Sequence, residues 1–158
     1  MKVLLVGGGG REHALAWRLR EEDPSIEIVA APGNPGIAEI ATCLSISASD
    51  VDALASFAET NGVDWTLVGP EAPLAAGIAD VFREKGLPIF GPTRAAAMLE
   101  TSKAFSKTLM IEAGVPTARA IESNGLASAA AAIDSIGASR ACDAGPGGSR
   151  APVTGNST

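Results

Sequence analysis

The chain has 158 residues, of which 46% are hydrophobic and 19% charged, with a formal net charge of −6. That is enough for one full domain and the start of another. An acidic balance with no basic cluster argues against nucleic acid and against anionic membranes as partners.

No apolar run approaches the roughly 20 residues needed to cross a bilayer. The first residues read as a strand with one lysine rather than as a signal peptide, so the cytoplasm is the expected compartment. Cys43 and Cys142 lie in no CxxC or Cys/His cluster and read as bystander thiols.

Lys2 to Val6 is a short apolar run followed by four glycines, Gly7 to Gly10, and then by Arg11-Glu-His-Ala14. This order predicts a buried strand, a tight loop and a helix N-terminus. The amides of Gly9, Gly10 and Arg11 would point outward at the positive end of the helix, a site for an anion and above all a phosphate. Arg11 adds a permanently charged planar fork. A plain glycine turn between strand and helix has the same spelling. A dinucleotide fingerprint fits poorly, because its third glycine falls on Glu12 or His13, and Ile26 to Ala30, the next strand, runs into Ala31-Pro32 with no acid at its end.

Arg11 to Glu22 is expected to be a helix with Leu15 and Leu19 on one face and Trp17 beside it, ended by Asp23-Pro24. In the loop Pro32 to Gly36, Asn34 is a candidate ligand contact, with a turn-forming asparagine as the alternative. Cys43 to Ser47 reads as a third strand. Ser49-Asp50 reads as the cap of a helix bearing Val51, Leu54, Ala55 and Ala58. Asp64 to Val68 is a fourth strand, and one helix with Leu74, Ile78, Val81 and Phe82 on its face follows Gly69-Pro-Glu-Ala-Pro73. Leu87 to Phe90 is a fifth strand.

Such alternation predicts a doubly wound, mostly parallel α/β sheet. Four Gly/Pro-rich loops would then crowd one crevice at the carboxyl ends of the strands. Glu71 is a candidate acceptor there, or merely a first-turn acid. His13, the sole histidine, reads as a packing or hydrogen-bonded residue. Neither a catalytic triad nor a metal-ligand cluster can be assembled from this spelling. Beyond Thr93, short helices are expected over Arg94 to Leu99 and from Thr101 to Ala113. Lys103 lies in a first turn, where the helix dipole disfavours a cation and a phosphate partner would suit it.

Gly8 to Ala14, Ala31-Pro-Gly-Asn-Pro-Gly36, Val68-Gly-Pro-Glu-Ala-Pro-Leu74 and Phe90-Gly-Pro-Thr93 through Ser102-Lys-Ala-Phe105 occur in this order. Over roughly residues 1–120 the sequence resembles the N-terminal part of the phosphoribosylamine–glycine ligases, ATP-grasp enzymes of purine biosynthesis. The resemblance implies a Rossmann-like, pre-ATP-grasp domain over residues 1–100 and an incomplete ATP-grasp segment over 101–136. It implies that ATP, with magnesium or manganese, activates glycine as an acyl phosphate, which the amine of 5-phosphoribosylamine attacks. By the same resemblance Gly9, Gly10 and Arg11 help hold the ribose phosphate. Glu12, Asn34 and Glu71 line the sugar-amine site, and Lys103 contacts the nucleotide. A monomer acting on small molecules is expected.

Asn124 to Ile136 reads as an alanine-rich helix with Leu126, Ala130 and Ile133 on one side. Gly137 to Thr158 holds five glycines, two prolines and one large aliphatic residue, Val153. It is expected to be a disordered or out-of-frame tail. The family's second nucleotide lysine, magnesium carboxylates and C-terminal domain are not found, so negligible ligase activity is expected of these 158 residues alone. Two other readings stay open: a non-catalytic sugar-phosphate or nucleotide module, and a related ATP-grasp carboxylase.

Overall fold

The computed structural model describes residues 1–136. Two compact units are present, one over Met1–Leu109 and a second that begins at Met110. Cys142 and the segment from Gly137 onward lie outside the described residues.

The first unit is a five-stranded parallel sheet in the order β3-β2-β1-β4-β5. Its strands are β1 (Lys2–Gly7), β2 (Glu27–Pro32), β3 (Thr42–Cys43), β4 (Trp65–Val68) and β5 (Ile89–Phe90). Val3 to Val6 in β1 are all buried, as a central parallel strand covered on both faces requires. Alternate residues feed two cores. Leu4 and Val6 join Leu54, Ala58, Ile78 and Phe82 on one face. Val3 and Leu5 join Ala16, Ile28 and Ile37 on the other. Each such side chain contributes about 1.5–3 kcal/mol, so β1 is the strand the unit can least lose.

The helices are α1 (Gly10–Glu22), α2 (Val51–Thr60), α3 (Glu71–Ala76), α4 (Ile78–Glu84), α5 (Arg94–Thr101) and α6 (Lys103–Glu112), with a 3₁₀ turn at Ile37–Glu39. Asp50 caps α2 through its carboxylate, which accepts from the Ala53 amide at 3.1 Å. Thr93 caps α5 through its hydroxyl.

Four expectations are corrected. The buried face of α1 is Glu12 and Ala16, with Leu19 packed beside them, while Leu15 and Trp17 are 41% and 54% exposed. Ala16 is small enough to bring the helix down on the sheet, and this sets the rotation that turns the larger residues outward. The third strand stops at Cys43. Beyond Leu44 the Ser47 hydroxyl accepts from the Ser49 amide at 3.3 Å, a local bond that competes with a sheet ladder.

The single helix expected after β4 is two. Gly77, at φ +93°, ends α3 and starts α4 in a conformation only glycine adopts freely. Arg94 fixes the break: its guanidinium donates to the Ala76 carbonyl, and its amide donates to the Asp80 carboxylate at 2.7 Å. In the second unit α7 (Leu126–Ile136) has no buried residue, and Leu126, Ala130 and Ile133 are exposed rather than one packed side. Arg119 there donates to the Ser135 carbonyl at 3.0 Å.

β4 and β5 are covered unequally. Leu67 pairs with Leu5 and with Phe90, so pleating puts Trp65, Leu67 and Phe90 on the face of Val3 and Leu5. No residue of α2–α5 joins the core on that face. Trp65 is 49% exposed and Phe90 72%.

Thr66 of β4 is fully buried, and its hydroxyl has no hydrogen-bond partner among the described residues. Register with Leu4 puts it on the face of the larger core. Replacing an orphaned buried hydroxyl by a methyl of the same shape removes a desolvation cost of about 1–3 kcal/mol. Thr66→Val is therefore expected to raise the urea midpoint with an unchanged slope. A lowered midpoint would show that the hydroxyl is satisfied in solution.

Candidate functional site

Strand order reverses between β1 and β4, because the chain runs from β1 outward through β2 and β3 and then returns to β4 and β5 on the other side. In open parallel sheets a crevice opens at this switch, at the carboxyl ends of the two strands. Here the loops after β1 and β4 enclose a cavity of about 200 Å³ lined by Gly9, Gly10, Arg11, Glu12, Gly69, Pro70 and Glu71.

Five of the seven residues singled out from the sequence, Gly9, Gly10, Arg11, Glu12 and Glu71, thus meet in one crevice. Asn34 and Lys103 are not among its lining residues. Neither are the residues of the loops after β2 and β5, although Asn34 and Gly33 bind the β2 loop to the β1 loop. The reason is topological: β2 and β5 each stand one strand further from the switch.

The first turn of α1 is organised by Glu12, which is only 5% exposed. Its Oε2 accepts from the Gly9 amide at 2.5 Å, an N-terminal cap supplied from within the helix. The Gly9 amide is therefore not free for a ligand, contrary to the simple reading of the glycine loop. The Gly10 and Arg11 amides have no chain acceptor among the described residues, as the start of a helix dictates. The Arg11 side chain is exposed and forms none of the ion pairs found among those residues. Glu71 opens α3 on the opposite wall and is exposed. The crevice therefore offers amides, a guanidinium and the Glu12 side chain on the α1 side and the Glu71 carboxylate on the other.

Asn34 is a structural tie. Its Nδ2 donates to the Gly8 carbonyl at 2.9 Å, and its Oδ1 accepts from the Ile37 amide at 2.9 Å. It joins the loop after β2 to the loop after β1 and starts the 3₁₀ turn. His13, half-buried, packs against Gly36, where a methyl group would come 2.5 Å from its Cε1. Lys103 is exposed at the first residue of α6.

Gly69 and Pro70 carry no chemistry in their side chains and were named in the sequence only as parts of a loop. Their signal is position, directly after the strand that flanks the switch. Among the described residues no group of three or more His, Cys, Asp or Glu side chains is placed to hold a metal ion. This donor set does not by itself fit a magnesium site, and Lys103 alone does not make a nucleotide site.

Fold and crevice define a doubly wound α/β domain of the kind that opens at its switch point. Residues 1–100 match the family model described as phosphoribosylglycinamide synthetase, N domain, and the chain belongs to that family. It is 54% identical over 139 residues to the phosphoribosylamine–glycine ligase of Ralstonia nicotianae, a match covering 87% of this chain and 33% of that protein. The likeness therefore runs past residue 120, further than the separate motifs suggest.

Among solved structures, phosphoribosylamine–glycine ligase from Thermotoga maritima superposes with a TM-score of 0.56 at 27% identity, covering 75% of this chain and 26% of that one. The biotin carboxylase domain of Hydrogenobacter thermophilus 2-oxoglutarate carboxylase, solved as a dimer with MgADP, ADP and bicarbonate, gives 0.57 at 25% identity, covering 73% and 28%. The chain spans about a third of the length of the curated relatives it matches.

Asn34→Ala removes both bonds of the tie at once. Caps and buried bonds of this kind are worth about 1–2 kcal/mol, so the urea midpoint is expected to fall by that equivalent, with faster hydrogen exchange at the Ile37 amide. An unchanged Ile37 amide would show that the loop holds itself.

Proposed function

We propose that this chain is the substrate domain of a phosphoribosylamine–glycine ligase, and that its crevice binds the phosphorylated sugar amine. The observation that carries this reading is that one switch-point crevice is lined by the α1 N-terminus, Arg11, Glu12 and Glu71. Family membership supports it independently.

The free Gly10 and Arg11 amides and the Arg11 guanidinium hold the ribose phosphate, as charge-assisted bonds at a helix start favour. Gly9 serves by its lack of a side chain. Glu12 and Glu71 accept from the amine and from sugar hydroxyls, which aims the amine nitrogen with its lone pair free to attack an activated glycine carboxylate. Asn34 acts at one remove, through the loop it ties. What these residues supply is binding and orientation, which can account for a large part of a ligase's rate.

Lys103 is assigned to the nucleotide. ATP, with magnesium or manganese, belongs to the complete ligase, and the described residues supply no step through it. The reading carries with it a cytoplasmic monomer that acts on small molecules, without nucleic-acid or membrane partners. No helix among the described residues is long and apolar enough to cross a membrane.

The test is calorimetric titration of the chain with ribose 5-phosphate. Saturable binding is expected, and Arg11→Ala should weaken it by at least about tenfold, since a hydrogen bond to a charged group contributes about 1.5–3 kcal/mol. Equal binding by the two proteins would remove the phosphate from this loop. No binding by folded wild type would overturn the assignment of the crevice to this chain alone.

A further inference from the structure

We propose that Glu12 and Gly69 form a matched pair that sets the shape of the crevice, with the carboxylate acting as a latch between the loops after β1 and β4. The latch rests on the proposed function only for its ligand; its geometry stands without one.

Glu12 is 95% withdrawn from solvent, yet the only chain donor to its carboxylate is the Gly9 amide on Oε2, among the described residues. Its side chain is enclosed instead by three glycines. A methyl group at Gly7 would come 2.7 Å from Glu12 Cγ, and one at Gly9 2.9 Å from Oε2. At Gly69 a methyl would lie 2.5 Å from Cδ and inside the contact shell of Oε1.

Gly69 is the telling member. Gly7, with φ +126°, is held to glycine by its backbone, whereas Gly69 has no positive φ. The nearest atoms that a side chain at position 69 would meet are those of the Glu12 side chain. The Gly69 amide donates to the Val6 carbonyl at 3.1 Å, which anchors the β4 loop to β1 and leaves it no room to retreat.

Any side chain at 69 therefore expels Glu12 into the cavity. The Gly9 amide then loses its acceptor, the first turn of α1 loses its cap, and a negative charge enters the space where an anion has to approach Gly10 and Arg11. Gly69, which lines the crevice, is thus a positioning residue that acts through Glu12.

The experiment is a mutant cycle on the 158-residue chain with three readouts: ribose 5-phosphate affinity by calorimetry, folding stability by urea titration, and the proton shift of the Gly9 amide, which a short bond to a carboxylate moves downfield. Gly69→Ala is expected to weaken ribose 5-phosphate by about tenfold, within the coupling range of residues in contact, and to move the Gly9 amide upfield. Adding Glu12→Asp, one methylene shorter, is expected to restore both in part. Adding Glu12→Ala, which empties the cradle, is expected to make Ala at 69 nearly neutral for folding.

Gly69→Ala with the Gly9 amide unmoved overturns the latch. So does a protein that Ala at 69 unfolds equally with Glu12 present or absent, since the glycine is then needed for another reason. If wild type shows no affinity for ribose 5-phosphate, the proposed ligand fails, while the amide shift and the folding cycle still decide the latch.

Discussion

The reversal of strand order between β1 and β4 is the constraint from which the rest of this domain follows. Two neighbouring parallel strands whose connections leave in opposite directions cannot both have a helix over the gap between them, so their carboxyl ends stay open. β1 brings a glycine loop and the start of α1 to that gap, and β4 brings Gly69 to Glu71. Burial of β1 on both faces makes the platform stiff. Polar groups at its end, held by backbone that cannot give, are then positioned groups rather than merely nearby ones.

Much of this was legible in the spelling. Apolar runs bounded by Gly and Pro marked the strands, and alternation with helical segments marked the parallel winding. The sheet order itself was not legible, because no local pattern says whether β4 returns beside β1 or beside β3.

The rotation of α1 was hidden for a different cause. Hydrophobic spacing favours Leu15 and Trp17, but close approach to a sheet favours a small residue, and Ala16 takes the buried place. The break at Gly77 was hidden because a lone glycine in a helical pattern is usually tolerated. Only the Arg94 side chain, seventeen positions on, reveals that the break is held.

Asn34 shows where a motif and its geometry part company. Within Ala31-Pro-Gly-Asn-Pro-Gly36 an asparagine between glycine and proline suits a ligand and a turn equally well. Both ends of its amide are engaged by Gly8 and Ile37. These two bonds tie the backbone of the loop after β2 to that of the loop after β1.

The same physical reasoning separates this loop from a dinucleotide fold of similar outline. In a dinucleotide fingerprint starting at Gly7, the third glycine would occupy position 12 and let the pyrophosphate lie close over the helix start. Glu12 stands there, and its carboxylate fills the cradle of Gly7, Gly9 and Gly69 and takes the Gly9 amide. A pyrophosphate in that place would meet a like charge in a low-dielectric pocket and would find one amide fewer. On the proposed reading, an anion with a single phosphate stays further out, on Gly10, Arg11 and the exposed guanidinium, while the remainder of the ligand turns inward toward Glu12 and Glu71. At the end of β2, where an acid would receive a ribose hydroxyl, the chain has Pro32, paired in register with Gly7. The domain keeps a doubly wound architecture, and a buried Glu12 side chain occupies the place that the third glycine of a dinucleotide fingerprint would hold.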